Sequence, residues 1–124
     1  MKLAISMTGE SLDAPFDARF GRAAQFCLVE PESGVCELVA NPARDASGGA
    51  GVQAAQLLAS QGVTAVVSGA YGPKAWKTLH AAGIRALLAP DSAHTPTGRE
   101  MLEQFCAGTL READAASHDG HHGG

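Results

Sequence analysis

The chain reads as a mixed α/β domain with elements in the order β-β-β-α-β-α-β-α, and three observations predict it. Its apolar runs are short, of strand length, and are separated by breaks rich in Gly and Pro. From residue 52 onward these runs alternate with stretches whose apolar positions recur at helical spacing. A hairpin comes before that alternation. A hairpin followed by right-handed strand–helix–strand crossovers gives a mixed five-stranded sheet with helices packed on its faces.

Each element has a local reason. Lys2–Met7 is apolar and short, a buried first strand, and Thr8–Ala18, with Gly9 and Pro15, is a surface loop. Gln25–Glu30 and Val35–Ala40 are strand-like, joined by Pro31-Glu32-Ser33-Gly34, which suits a hairpin turn. After the loop Asn41–Ser47 and the run Gly48-Gly49-Ala50-Gly51, residues 52–61 turn helical. There Val52, Ala55, Leu58 and Ala59 share a face, and Gly62 stops the helix. Thr64–Ser68 is β-branched and apolar, a buried strand. Gly69-Ala70-Tyr71-Gly72 then leads to Pro73, well placed at the start of a helix running to Ala82. That helix carries Trp76, Leu79, His80 and Gly83 on one stripe, where His80 reads as a packed histidine rather than a ligand. Ile84–Ala89 is the last strand. Thr97-Gly98-Arg99-Glu100 has capping-box spacing before a third helix that buries Met101, Leu102 and Phe105. Residues 1–108 therefore form the domain, and residues 109–124, polar and rich in Gly and His, read as a disordered tail.

Composition narrows the function. A length of 124 residues suits one domain, and with 45% apolar but only 5% aromatic residues the core must be built from Ala, Val, Leu and Ile. A net charge of -4 leaves no footprint for nucleic acid or an anionic membrane. Met1–Met7 is too short for a signal-peptide core and no apolar run has membrane-spanning length, so the expected compartment is the cytoplasm. Three cysteines without a CxxC pattern do not suggest a disulfide framework. Cys27 and Cys36 fall on the hairpin as diagonal neighbours and, like Cys106, read as small core residues.

The topology places the loops after Met7, Asn41, Ser68 and Ala89 along one edge of the sheet, where open α/β sheets bind ligands. Two glycine-rich turns there precede helices: Gly48, Gly49 and Gly51 in one, Gly69 and Gly72 in the other. Helix N-termini offer unpaired N–H groups and partial positive charge, which suits an anion; tight strand-to-helix packing is the competing explanation. Neither turn has a nucleotide-binding pattern. Phe16–Arg22 adds Arg19 and Arg22 between aromatics, either as anion contacts or as solvated arginines over an apolar plug. His94, in the loop after the last strand, is the folded-region candidate for a metal. In the tail His118, His121 and His122 with Asp119 have a composition that captures Zn, Ni or Cu, or simply solubilises. No catalytic residues are expected: the runs KLAISM, TAVVS and IRALLA hold no Asp or Glu for Mg²⁺, and no GxSxG is present.

The opening MKLAISM, the run FDARFGRAAQFCLVE and the run from Asn41 to Ala89 together resemble the dinitrogenase iron–molybdenum cofactor biosynthesis family, which includes nitrogenase cofactor carriers and orange-protein-like domains. The resemblance spans residues 1–108 and rests on FGR, GGAG before one helix and GxxGPxA before the next. It implies a ribonuclease-H-like fold and non-catalytic binding of an anionic metal–sulfur cluster, iron–sulfur or molybdenum-containing. Carried onto this chain, the contacts would be Arg19, Gly21 and Arg22, the segment with Gly48, Gly49 and Gly51, and Gly69, Tyr71 and Gly72. Some members carry a cysteine after FGR where this chain has Ala23 and Ala24, so thiolate ligation from that loop is not implied. A cluster-assembly or ATPase protein is the expected partner. The alternative function is a regulatory module that binds such an ATPase, or a small anion, with no cluster.

Overall fold

A computed structural model of the protein describes residues 1–45, 48–90 and 94–113. In chain order it contains β1 (Leu3–Met7), β2 (Gln25–Val29), β3 (Cys36–Ala40), a 3-10 turn (Pro42–Asp45), α1 (Ala50–Ser60), β4 (Ala65–Ser68), α2 (Pro73–Ala81), β5 (Arg85–Leu88), α3 (Gly98–Ala107) and β6 (Arg111–Glu112). They build one sheet of order β3-β2-β1-β4-β5-β6. β1, β4 and β5 run parallel, β2 lies antiparallel between β1 and β3, and β6 is antiparallel to β5. β3 thus points the same way as β1, and the carboxyl ends of β1, β3, β4 and β5 share one edge.

Among the described residues the sheet has six strands, not the five expected. Arg111 and Glu112 pair with Leu88 and Leu87, Ala113 donates its N–H to the Ala86 carbonyl at 2.8 Å, and Arg85 reaches Glu112 at 3.0 Å. Ordered backbone therefore continues past position 108, where the polar composition suggested a tail. An exposed two-residue edge strand held by backbone bonds needs no apolar pattern, so its sequence looks like tail. Residues 114–124, with His118, His121 and His122, lie outside the described residues.

Side chains alternate across the strands and sort into two cores. Ala4, Phe26, Leu28, Val66 and Ala86 face α1 and α2, joining Ala54, Ala55, Leu58, Ala75 and Leu79. Leu3, Ile5, Met7, Cys27, Val29, Val67 and Leu87 face the other way, toward Met101 of α3, with Leu102 and Phe105 half-buried beside it. The scarcity of aromatics has a geometric consequence. α1 crosses α2 so closely that a Cβ added at Gly51 would sit 2.8 Å from the Cβ of Ala75.

A second correction concerns the hairpin. Cys27 and Cys36 form a disulfide, with Cα atoms 6.1 Å apart, within the usual span. In the β2–β3 register Cys27 faces Leu38 and Val29 faces Cys36, so the two cysteines occupy the diagonal positions anticipated. Cys27 is fully buried, as a core residue would be. Its bonding partner was not legible, because an odd count without paired spacing argues against disulfides.

Candidate functional site

The loop after β1 folds over the carboxyl edge of the sheet and is stitched to it. Asp17 donates its N–H to the Ser6 carbonyl at 2.8 Å, Gly69 donates to the Ala18 carbonyl at 3.1 Å, and Arg19 pairs with Ala70 as an isolated bridge. The buried Ser6 hydroxyl donates to the Asp17 carbonyl and lies 3.0 Å from that of Ser68. A Cβ at Gly69 would come within 2.5 Å of the Ala18 Cβ, so that glycine is required by the seam itself. The seam divides the edge into two pockets.

The pocket on the α1–α2 side has a volume of about 390 Å³ and is lined by Phe20, Gly21, Arg22, Gly49, Ala50, Gly51, Val52, Ala70, Gly72, Pro73, Lys74 and Ala75. Two helices begin here, and neither N-terminus carries a side-chain cap. Gly49 starts α1 at φ 72°, a left-handed value that favours glycine. Gly72 starts α2 with an ordinary extended backbone (φ -68°) and open space where a Cβ would be. Pro73 follows at the first helical position and has no N–H, so the free amides at this end begin with Lys74. Gly21 is different: a Cβ there would meet the Gly51 nitrogen at 2.8 Å, so it is glycine to let the loop lie on α1. Asn41 fixes the loop by donating from Nδ2 to the carbonyls of Gly21 at 3.1 Å and Ala23 at 2.9 Å, and Arg22 donates to the Arg44 carbonyl at 3.0 Å. Among the described residues the lining is mostly apolar, its two charged residues, Arg22 and Lys74, are cations, and it contains no carboxylate.

The pocket on the α3 side, about 620 Å³, is lined by Thr8, Phe16, Asp17, Ala18, Arg19, Gly69, Ala89, Pro90, His94, Thr95 and Pro96. Here the charge is mixed. The Asp17 carboxylate, only 4% exposed, receives the Arg19 backbone N–H at 2.9 Å and its guanidinium through Nε and Nη2 at 3.1 Å. Hydrogen bonding to Asp17, reinforced by its charge, holds the Arg19 pKa above its ordinary value. His94 lies 3.7 Å from Glu100, the residue that closes the α3 capping box.

The residues anticipated from sequence are therefore divided. Gly21, Arg22, Gly49, Gly51 and Gly72 surround one pocket, with Gly48 exposed one residue ahead. Arg19, Gly69 and His94 line the other. Tyr71 is on neither rim. It is buried among Phe20, Val66 and Leu79, with its hydroxyl donating to the Leu87 carbonyl at 2.7 Å and the Val66 carbonyl at 3.1 Å. Burial raises its pKa far above the usual phenol range. Lys74 and Asn41 were missed: a scattered lysine gains meaning only once the start of α2 is known, and Asn41 read as an ordinary loop residue. Among the described residues no group of three or more His, Cys, Asp or Glu could hold a metal ion, and no helix is long and apolar enough to cross a membrane.

Residues 1–108 match the family described as dinitrogenase iron-molybdenum cofactor, and the chain belongs to that family. It is 37% identical to the apo form of the orange protein from Desulfovibrio gigas, with a TM-score of 0.83 over 90% of this chain and 92% of that one. A putative NifB protein from Thermotoga is 33% identical, with a TM-score of 0.75 and coverage of 90% and 91%. An uncharacterized protein of Methanocaldococcus jannaschii is 31% identical over 115 residues, 90% of this chain and 91% of its own length.

Proposed function

We propose that this protein binds an anionic metal–sulfur cluster, or a precursor of one, in the pocket between the N-termini of α1 and α2 and carries it during cofactor assembly. One observation supports the reading above all: the pocket gathers two uncapped helix N-termini, Arg22 and Lys74 around apolar walls with no carboxylate among the described residues. Thiometallates fit such a lining. They are anions, so they are attracted to amides and cations, and their bulky sulfides are weakly hydrated, so apolar walls suit them. The α3-side pocket suits an anion less well, because the Asp17 carboxylate already neutralises Arg19. Membership of a cofactor family and likeness to the orange protein lend further support. The role is carriage, with no chemistry on an organic substrate, and ends in hand-over to a cluster-assembly protein. The cargo is iron–sulfur, molybdenum–iron–sulfur or molybdenum–copper–sulfur.

Incubating the apo-protein with tetrathiomolybdate and copper, or with iron and sulfide, tests this. A stoichiometric visible charge-transfer band should survive desalting. In the R22A/K74A double variant, with both side chains exposed and its folding checked by a melt, retention should fall. Hydrogen bonds to a charged ligand are worth about 1.5–3 kcal/mol each, roughly tenfold or more in affinity. A wild-type protein that keeps no colour would refute carriage. A double variant that loads as well as wild type would refute the pocket assignment.

A further inference from the structure

The Cys27–Cys36 bridge has two unlike ends. Cys27 is fully buried in β2, whereas Cys36 opens β3 and is exposed. β3 borders the sheet and, among the described residues, pairs with β2 alone. Its side chains anchor it weakly: all its residues but Val39 are exposed, and Val39 is half-buried against the core. The ladder to β2 and the bridge therefore carry most of what holds this strand down.

What β3 holds in turn is the cluster pocket. The buried Asn41 follows Ala40 directly; its Nδ2 donates to the Gly21 and Ala23 carbonyls, and its backbone N–H donates to the Ala24 carbonyl at 3.2 Å. Its Oδ1 accepts the Ala43 N–H at 3.1 Å, and the Arg44 carbonyl just beyond accepts from Arg22. The loop that brings Gly21 and Arg22 to the pocket is thus fastened to the segment β3 delivers. If β3 lifts from β2, Asn41 goes with it and the loop loses these partners.

We propose that the disulfide is a redox switch on that pocket: oxidised, it clamps β3 and keeps the loop in its binding position; reduced, it lets β3 fray and the anion leave. The proposal rests on the reading of the pocket as the cluster site. The reductant is a dithiol, and exposure directs its attack to the Cys36 sulfur. Its thiolate bonds there, the S–S bond breaks, and Cys27 leaves with the electron pair and takes up a proton. The second thiol then displaces Cys36, which is protonated in turn, and the reductant departs as a cyclic disulfide. Any fall in the closed fraction weakens apparent affinity in proportion.

Residue-resolved hydrogen exchange of the full-length protein, before and after dithiothreitol, tests the switch without cargo. The Asn41 and Ala43 amides should exchange faster after reduction while those of β4 and β5 stay unchanged. Dithiothreitol should alter nothing in Cys36→Ser, which breaks the bridge at its exposed end and leaves the buried Cys27 in place. Loading with tetrathiomolybdate and copper reads the consequence, with thiols counted afterwards to show the wild-type bridge intact. Cys36→Ser should bind roughly fivefold or more weakly than oxidised wild type, the lower range of couplings between linked sites. Unchanged exchange at Asn41 and Ala43, an increase spread evenly over the sheet, or equal loading by two coloured proteins would overturn the switch. Oxidised wild type that keeps no colour would instead remove the cluster reading, and the exchange contrast alone would then decide whether the bridge governs the loop.

Discussion

At the level of single residues, glycines that look alike in sequence separate by what surrounds them. Gly51 and Gly21 are glycine because a Cβ would strike Ala75 or the backbone of α1, whereas Gly72 has room and an ordinary φ. Gly51→Ala should therefore destabilise by about 1–3 kcal/mol through overpacking, read in a denaturant melt. Gly72→Leu should leave the melt unchanged yet lower cluster loading, because it fills part of the pocket that Gly72 lines. Tyr71 makes the opposite point. The family resemblance implied a ligand contact for it, but the sequence could not report the direction in which the ring points. Its folded pKa lies above the unfolded value of about 10, so the neutral form is the one the fold holds. That contribution is complete below about pH 10 and declines as pH rises toward the folded pKa. Since Tyr71 is the single tyrosine, phenolate absorbance should stay silent on alkaline titration until the chain unfolds, and then appear together with loss of the far-ultraviolet signal. A smooth titration near pH 10 in the folded protein would contradict its burial.

Among the elements, the three helices begin in two ways. α3 is closed by its own side chains: the Thr97 hydroxyl accepts the Glu100 N–H at 3.2 Å while the Glu100 carboxylate accepts the Thr97 N–H at 2.8 Å. α1 and α2 have no such closure. This contrast was readable from sequence. T-G-R-E has capping-box spacing, and glycine stands where the other two helices start. Thr97→Ala should cost about 0.5–2 kcal/mol of stability without affecting cluster loading, as paired melting and loading measurements would show. The positions of the first five strands were equally legible, because apolar runs bounded by turns leave little choice. The shared edge came from topology. Its division into two pockets did not, since that depends on the Ala18–Gly69 seam, a contact between segments fifty residues apart that no local pattern encodes.

Across the whole molecule, the sheet sets both the core and its covalent staple. The hairpin register brings Cys27 beside Cys36 and leaves Cys106, exposed on α3, as the free cysteine. Thiol titration of the denatured protein should give one reactive group before reduction and all three cysteines after it. Reduction should lower stability by about 2–3 kcal/mol for a loop this short. Three thiols before reduction would remove the disulfide from the account. The sixth strand reaches further. β6 covers the outer backbone of β5, and Ala113 receives the Trp76 indole. Trimming a recombinant version at residue 108, the limit of the family match, would strip that border. The Leu87–Leu88 backbone would then be left as a raw seam open to intermolecular zippering, and a shortened version used for solution work would be a stickier object than the native chain.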